Sequence, residues 1–290
     1  MTPQARDEAW LVDGFPPPPA MRALMPLLSR VPLSVASTLL AGLAIGDGAL
    51  RRRRYARAVD WATTRGDRGV RAHVRALRVL ATHGHFLALE AMLGTRTLEA
   101  LRASTDVVGR ERLSAGGIAL GWHLGPPRTW LTLRAHGVPV VATTRRMPVE
   151  GTALAAWIAD GSVVHVPLGE AAGRVDGLYR LRKVLAASGL VYLQADGPSG
   201  TELCRLDVPG GPIVRTGWFR LRRMLACPVY PVLAERRGGR TTLVVHPALP
   251  AVVDDEAADL EACRRSLSQL VGQFVAEHPD QCRYLAFPDW

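Results

Sequence analysis

Gly116-Gly117-Ile118-Ala119-Leu120-Gly121-Trp122-His123-Leu124-Gly125 reads as a buried strand that ends in a histidine. The run is apolar throughout and lacks the polar alternation of a half-exposed strand, so it fits a strand covered on both faces. Such strands belong to the parallel sheets of α/β proteins. His123 arrives at the carboxyl end of the run, just before a predicted helix over 127–136. A histidine there is rigidly held and faces the crevice of the sheet, where a general base is useful. Arg128 follows five residues later.

Outward from this segment, short apolar runs alternate with helical stretches. The runs cover 138–143, 162–166, 190–195, 228–234 and 241–246, and helices are expected over 150–159, 174–188, 213–226 and 256–278. Alternation of this kind predicts a mixed, mostly parallel sheet flanked by helices. Before the sheet, residues 21–105 read as a helical section, with periodic stretches around 52–64, 67–93 and 97–104. Residues 1–20 read as a flexible leader, with Asp7, Glu8, Asp13 and the run Pro16 to Pro19. The expected organisation is thus a leader, a helical section over 21–105 and an α/β domain over 106–290, the last two forming one structural unit.

The chain of 290 residues carries a formal net charge of +10, and Lys183 is its only lysine. A basic balance favours anionic partners: acidic headgroups, phosphates or an acidic protein. No zinc-finger spacing, RNA-binding signature or helix-turn-helix stands out, which argues against nucleic acid. The four cysteines, Cys204, Cys227, Cys263 and Cys282, fit no metal spacing and are read as reduced thiols, which suits the cytoplasm. Residues 1–20 lack the apolar core of a secretory signal. Val31 to Gly46 is uncharged, but Pro32 and its small residues weaken it as a membrane span, which needs about 20 mostly apolar residues. Followed by Arg51 to Arg54, it suits either the inner face of a cell membrane or an ordinary packed helix with a solvated basic end.

Residues 109–128 resemble the catalytic block of the late acyltransferases of lipid A biosynthesis, whose superfamily includes the phosphatidylinositol mannoside acyltransferases. Gly109-Arg110-Glu111 precedes the first strand, and His123 begins the block. Arg145-Arg146 follow the second strand. Leu185 to Asp196 resembles the family's helix, glycine, strand and Asp. Pro209-Gly210-Gly211 with Thr216-Gly217, Pro228 to Arg236, and Glu277-His278-Pro279-Asp280-Gln281 resemble its later segments in the same order. The resemblance implies a glycerolipid-acyltransferase type of fold. It also implies transfer of an acyl group from a carrier-protein or coenzyme A thioester to a hydroxyl or amine, with no metal or other cofactor.

In that family the position five past the histidine is Asp or Glu, and the pair works as a dyad. Arg128 cannot take that role, because a guanidinium has no acceptor and stays protonated. Glu170, Asp176 or Asp196 could orient His123 instead, or a backbone carbonyl could. Asp196-Gly197-Pro198 ends the 190–195 run, so Asp196 lands at the same crevice, although Asp-Gly also serves simple turns. Asp196, Gly197 and nearby amides, with Thr216, are the candidates for holding the thioester or the acceptor. Arg128, Arg145 and Arg146 could form an anion-binding rim. His85 and Glu90 also satisfy the His-x4-acid spacing, but inside a helix that offset leaves the side chains about 140° apart, so His85 is read as a surface or interface histidine.

The Arg at 128 opens two further readings. The fold could be reused for elimination or cyclisation of a small anionic substrate in specialised metabolism, with the cation holding the leaving group. Or the chain could be a non-catalytic partner protein.

Overall fold

The computed structural model describes residues 31–93, 98–127, 129–144, 157–166, 171–196, 203–208, 213–237 and 239–282. The expected leader over 1–20 lies outside the described residues. Among the described residues four helices come first: α1 (Leu33–Leu50), α2 (Arg52–Thr64), α3 (Val70–Leu93) and α4 (Leu98–Ala103). A seven-stranded sheet follows, in the order β1 (Thr105–Val108), β9 (Arg240–Val245), β8 (Val229–Arg237), β2 (Gly117–Gly121), β5 (Leu190–Gln194), β3 (Val140–Thr144) and β4 (Val163–His165). Every pairing in it is parallel except the β8–β9 hairpin, so the sheet is mixed and mostly parallel.

All five residues of β2 are buried. Ile118 and Leu120 face one core with Leu181 and Leu185 of α6 (Ala171–Ala186), Trp218 and Phe219 of α7 (Gly217–Leu225), and Val271 and Phe274 of α8 (Glu256–Glu277). Ala119 faces the other core with Leu133 of α5 (Thr129–Ala135), Tyr192 and Val232. Coverage on both faces explains the unbroken apolar run. Each fully buried aliphatic side chain here contributes roughly 1.5–3 kcal/mol.

The helical section is built on close backbone approaches. A Cβ at Gly84 would stand 2.3 Å from the Leu40 carbonyl oxygen, and one at Gly48 would stand 2.5 Å from the Leu80 side chain. Only glycines let α1 and α3 cross at that distance. The section is tied to the far end of the chain: Trp61 Nε1 donates to the Pro279 carbonyl at 2.8 Å, and Thr82 Oγ1 donates to Asp280 at 3.3 Å.

Several boundaries differ from the sequence expectation. β1 occupies a segment where no strand was expected; it is a four-residue edge strand whose partner, β9, is more than 130 residues away. The expected helix over 213–226 begins as β7 (Ile213–Arg215), paired antiparallel with β6 (Leu203–Arg205), because the β-branched Ile213 and Val214 complete a hairpin before Thr216 opens α7. The arginines of α7 are not all on a wet face. Arg222 is 2% exposed, lies 3.0 Å from Asp259 and donates to Cys263 Sγ at 2.6 Å, while Arg223 holds the other Asp259 oxygen at 2.9 Å. This buried cluster anchors α7 to α8.

Candidate active site

β2 and β5 are parallel neighbours in register, with Gly121 opposite Gln194. His123 and Asp196 each lie two residues past those strand ends, so they meet at the carboxyl edge of the sheet. The chain leaves β2 toward β3 on one side and leaves β5 toward β8 on the other, so the edge between them is where a doubly wound sheet opens a crevice.

The two side chains are in direct contact. Asp196 Oδ1 lies 2.9 Å from His123 Nδ1, and the same carboxylate accepts the His123 backbone N–H at 3.1 and 3.0 Å. Their side chains are 13% and 10% exposed, shielded but open to an incoming group. The carboxylate fixes Nδ1 as the protonated nitrogen, which leaves Nε2 in the tautomer that accepts a proton. Of the other carboxylates considered from sequence, Asp176 is exposed and pairs with Arg180 at 3.0 Å, away from this role, and Glu170 lies outside the described residues.

Tight packing holds the dyad. A Cβ at Gly121 would stand 2.0 Å from the Tyr192 hydroxyl, which bonds to Thr129 at the start of α5. After the histidine, Gly125 has φ +71° and sits against the Ala234 carbonyl, where a Cβ would come within 1.8 Å. Its N–H donates to the Gln281 carbonyl at 3.0 Å, while the Gln281 amide bridges the Arg236 N–H and C=O of β8 at 2.9 and 3.0 Å. Gln281 carried no assigned role in the sequence reading; its contacts span 45 and 156 positions, a separation that no local pattern announces.

Thr216 is buried and opens α7. The preceding residue, Arg215, donates its N–H to the Ala195 carbonyl at 2.7 Å, which brings the turn before α7 against the Asp196 turn. Arg128, Arg145, Arg146 and Gly197 lie outside the described residues. His85, read from the sequence as a surface or interface histidine, belongs to α3 and is hydrogen-bonded to Ser37 of α1. A hollow of about 490 Å³ lies at the opposite, amino-terminal edge, beside Gly116, Pro139 and Gly189, at the other end of the strands from the dyad. Among the described residues no His, Cys, Asp and Glu cluster is disposed to hold a metal ion.

No known family profile and no curated protein matches the chain. Among solved structures it is similar to the 1-acyl-sn-glycerophosphate (LPA) acyltransferase PlsC from Thermotoga maritima, at 11% identity and a TM-score of 0.41, over 89% of this chain and 97% of that one. At that level nothing about substrate or mechanism transfers.

Proposed function

We propose that the protein is an acyltransferase that moves an acyl group from an acyl thioester to a hydroxyl or amine. The observation that carries this reading is the His123–Asp196 pair at the carboxyl edge. A hydroxyl is a poor nucleophile; His123 Nε2 takes its proton as the oxygen attacks the thioester carbonyl, and returns it to the leaving thiolate. Asp196 holds the ring and stabilises the imidazolium that forms. The sequence resemblance to the late acyltransferases supports the same chemistry, with coenzyme A or an acidic carrier protein as donor and no cofactor in the reaction.

A place at the cytoplasmic membrane surface is part of the proposal. On α1, Val35, Leu39 and Leu43 are exposed in one line, Leu50 is exposed beyond them, and Arg51 to Arg53 follow in water. An apolar strip with a cationic end suits an anionic bilayer. Among the described residues no helix is long and apolar enough to cross a membrane.

The deciding experiment incubates the protein with acyl-coenzyme A and acyl-carrier thioesters plus total lipid extract, following thiol release and acylated product by mass spectrometry. Turnover that disappears in His123→Ala supports the reading. Turnover unchanged in that variant sinks it. The second reading, elimination from a small anionic substrate, rests on Arg128. It predicts that Arg128→Asp, which restores the acid at that position, lowers activity rather than improving it.

A further inference from the structure

A second polar cluster stands at the same edge of the sheet, where the helical section meets β8. Gly121 of β2 pairs alongside Val232 of β8, so Arg236 lies four residues further along, beyond the edge that carries His123. Its guanidinium Nη2 donates to Ser37 Oγ at 3.4 Å, and the same hydroxyl is hydrogen-bonded to His85 Nδ1. Ser37 comes from α1 and His85 from α3; Gly84, against the Leu40 carbonyl, brings those backbones close enough for them to meet.

Arginine only donates, so Ser37 Oγ accepts from Arg236, and its second lone pair and single hydrogen let it pair with His85 Nδ1 in either tautomer. The cluster presents guanidinium N–H groups beside an imidazole that gains a further N–H when it is protonated. Among the described residues no carboxylate pairs with Arg236: neighbouring Glu235 is held by His278 at 2.6 Å and by Arg237 at 3.1 Å. A partly buried arginine without a counter-charge is costly, and burial lowers its proton affinity as it does that of His85, where Arg236 adds to the effect. An anion seated here removes that cost.

The geometry points to Ser37, His85 and Arg236 as a binding site for a phosphate group, with Arg236 supplying the charge, the His85 imidazole beside it, and Ser37 holding the two in place. Arginine's planar fork suits phosphate oxygens. The site is separate from the dyad and stands whether or not His123 performs acyl transfer.

Binding is measured without turnover. The full-length protein is titrated with inorganic phosphate and, separately, with a short-chain lysophosphatidic acid below its micelle concentration. Affinity is read by calorimetry and the His85 ring by nuclear magnetic resonance. Binding is expected to shift the His85 resonances and to weaken about tenfold in Arg236→Met, with a smaller loss in Ser37→Ala and none in Arg237→Met, an exposed neighbour. Circular dichroism checks that each variant is folded; Ser37→Ala decides the matter should Arg236→Met fail that check. Tighter binding of the lysophospholipid than of phosphate supports the site and assigns its ligand as a lipid headgroup; equal binding supports it and assigns a free phosphate. Binding that neither moves His85 nor weakens in Arg236→Met and Ser37→Ala, or no binding of either probe, overturns the proposal.

Discussion

Asp196 grips His123 twice: its carboxylate accepts from the backbone N–H at 3.0 and 3.1 Å and lies 2.9 Å from ring Nδ1. One side chain thus fixes the loop and the tautomer together. Asp196→Asn separates the two roles. Its amide oxygen still accepts the backbone N–H, but its NH2 faces Nδ1 and forces the proton onto Nε2, the atom proposed to act as the base. Turnover is expected to fall on the order of 10³- to 10⁴-fold while thermal stability moves little. Comparable losses of turnover and of melting temperature would make Asp196 a structural residue only.

Gln281 tests how far the support of that loop reaches. Gln281→Ala leaves the Arg236 N–H and C=O without their side-chain partners and is expected to destabilise the fold by about 1–3 kcal/mol. Freed from β8, the 279–281 turn holds Gly125 less firmly, so turnover falls as well. Arg237→Ala, at an exposed neighbour, is expected to stay within about 0.5 kcal/mol of wild type. Denaturant midpoints of the two variants make the comparison. Equal midpoints would remove Gln281 from the support of the site.

Much of the sheet was legible because its strands are covered on both faces: the unbroken runs around Ile118, Val191 and Val229 leave little but parallel strands to choose. β1 was not, because Thr105-Asp106-Val107-Val108 is short, carries a charge and becomes a strand only through its pairing with β9. His123 and Asp196 were legible as ends of apolar runs. Which of three carboxylates orients the histidine was not, since that depends on β5 inserting between β2 and β3. Arg236 was hidden for a similar reason. In so arginine-rich a chain, nothing local marks the one that lies against Ser37.

Gly121 sets the room for Tyr192. An added methyl at 121 would stand 2.0 Å from the Tyr192 hydroxyl and 2.5 Å from its ring carbon, so the ring must shift and release Thr129. Gly121→Ala is expected to cost roughly 1–3 kcal/mol, the range for overpacking a filled core. Adding Tyr192→Phe removes the nearer clash and is expected to recover part of the loss. Urea unfolding of the single and double variants measures it. A double variant as unstable as the sum of the singles would place the strain elsewhere.

Three histidines set an acid limit on stability. His246, His136 and His85 are all held below the ordinary histidine value, with burial the first cause in each; Arg112 adds to it at His246 and Arg236 at His85, while a backbone bond to Thr105 partly opposes it at His136. The native state then binds fewer protons than the unfolded chain. Its stability is fully present above the unfolded pKa of about 6.5 and is lost progressively as pH falls below it, until the depressed folded values are passed. Urea midpoints are expected to drop between about pH 7.5 and about pH 5.5 in a phosphate-free buffer, and to drop less in His246→Gln, where one of the three protonations is removed. A variant that loses as much as wild type over that interval would exclude His246 as a source of the slope.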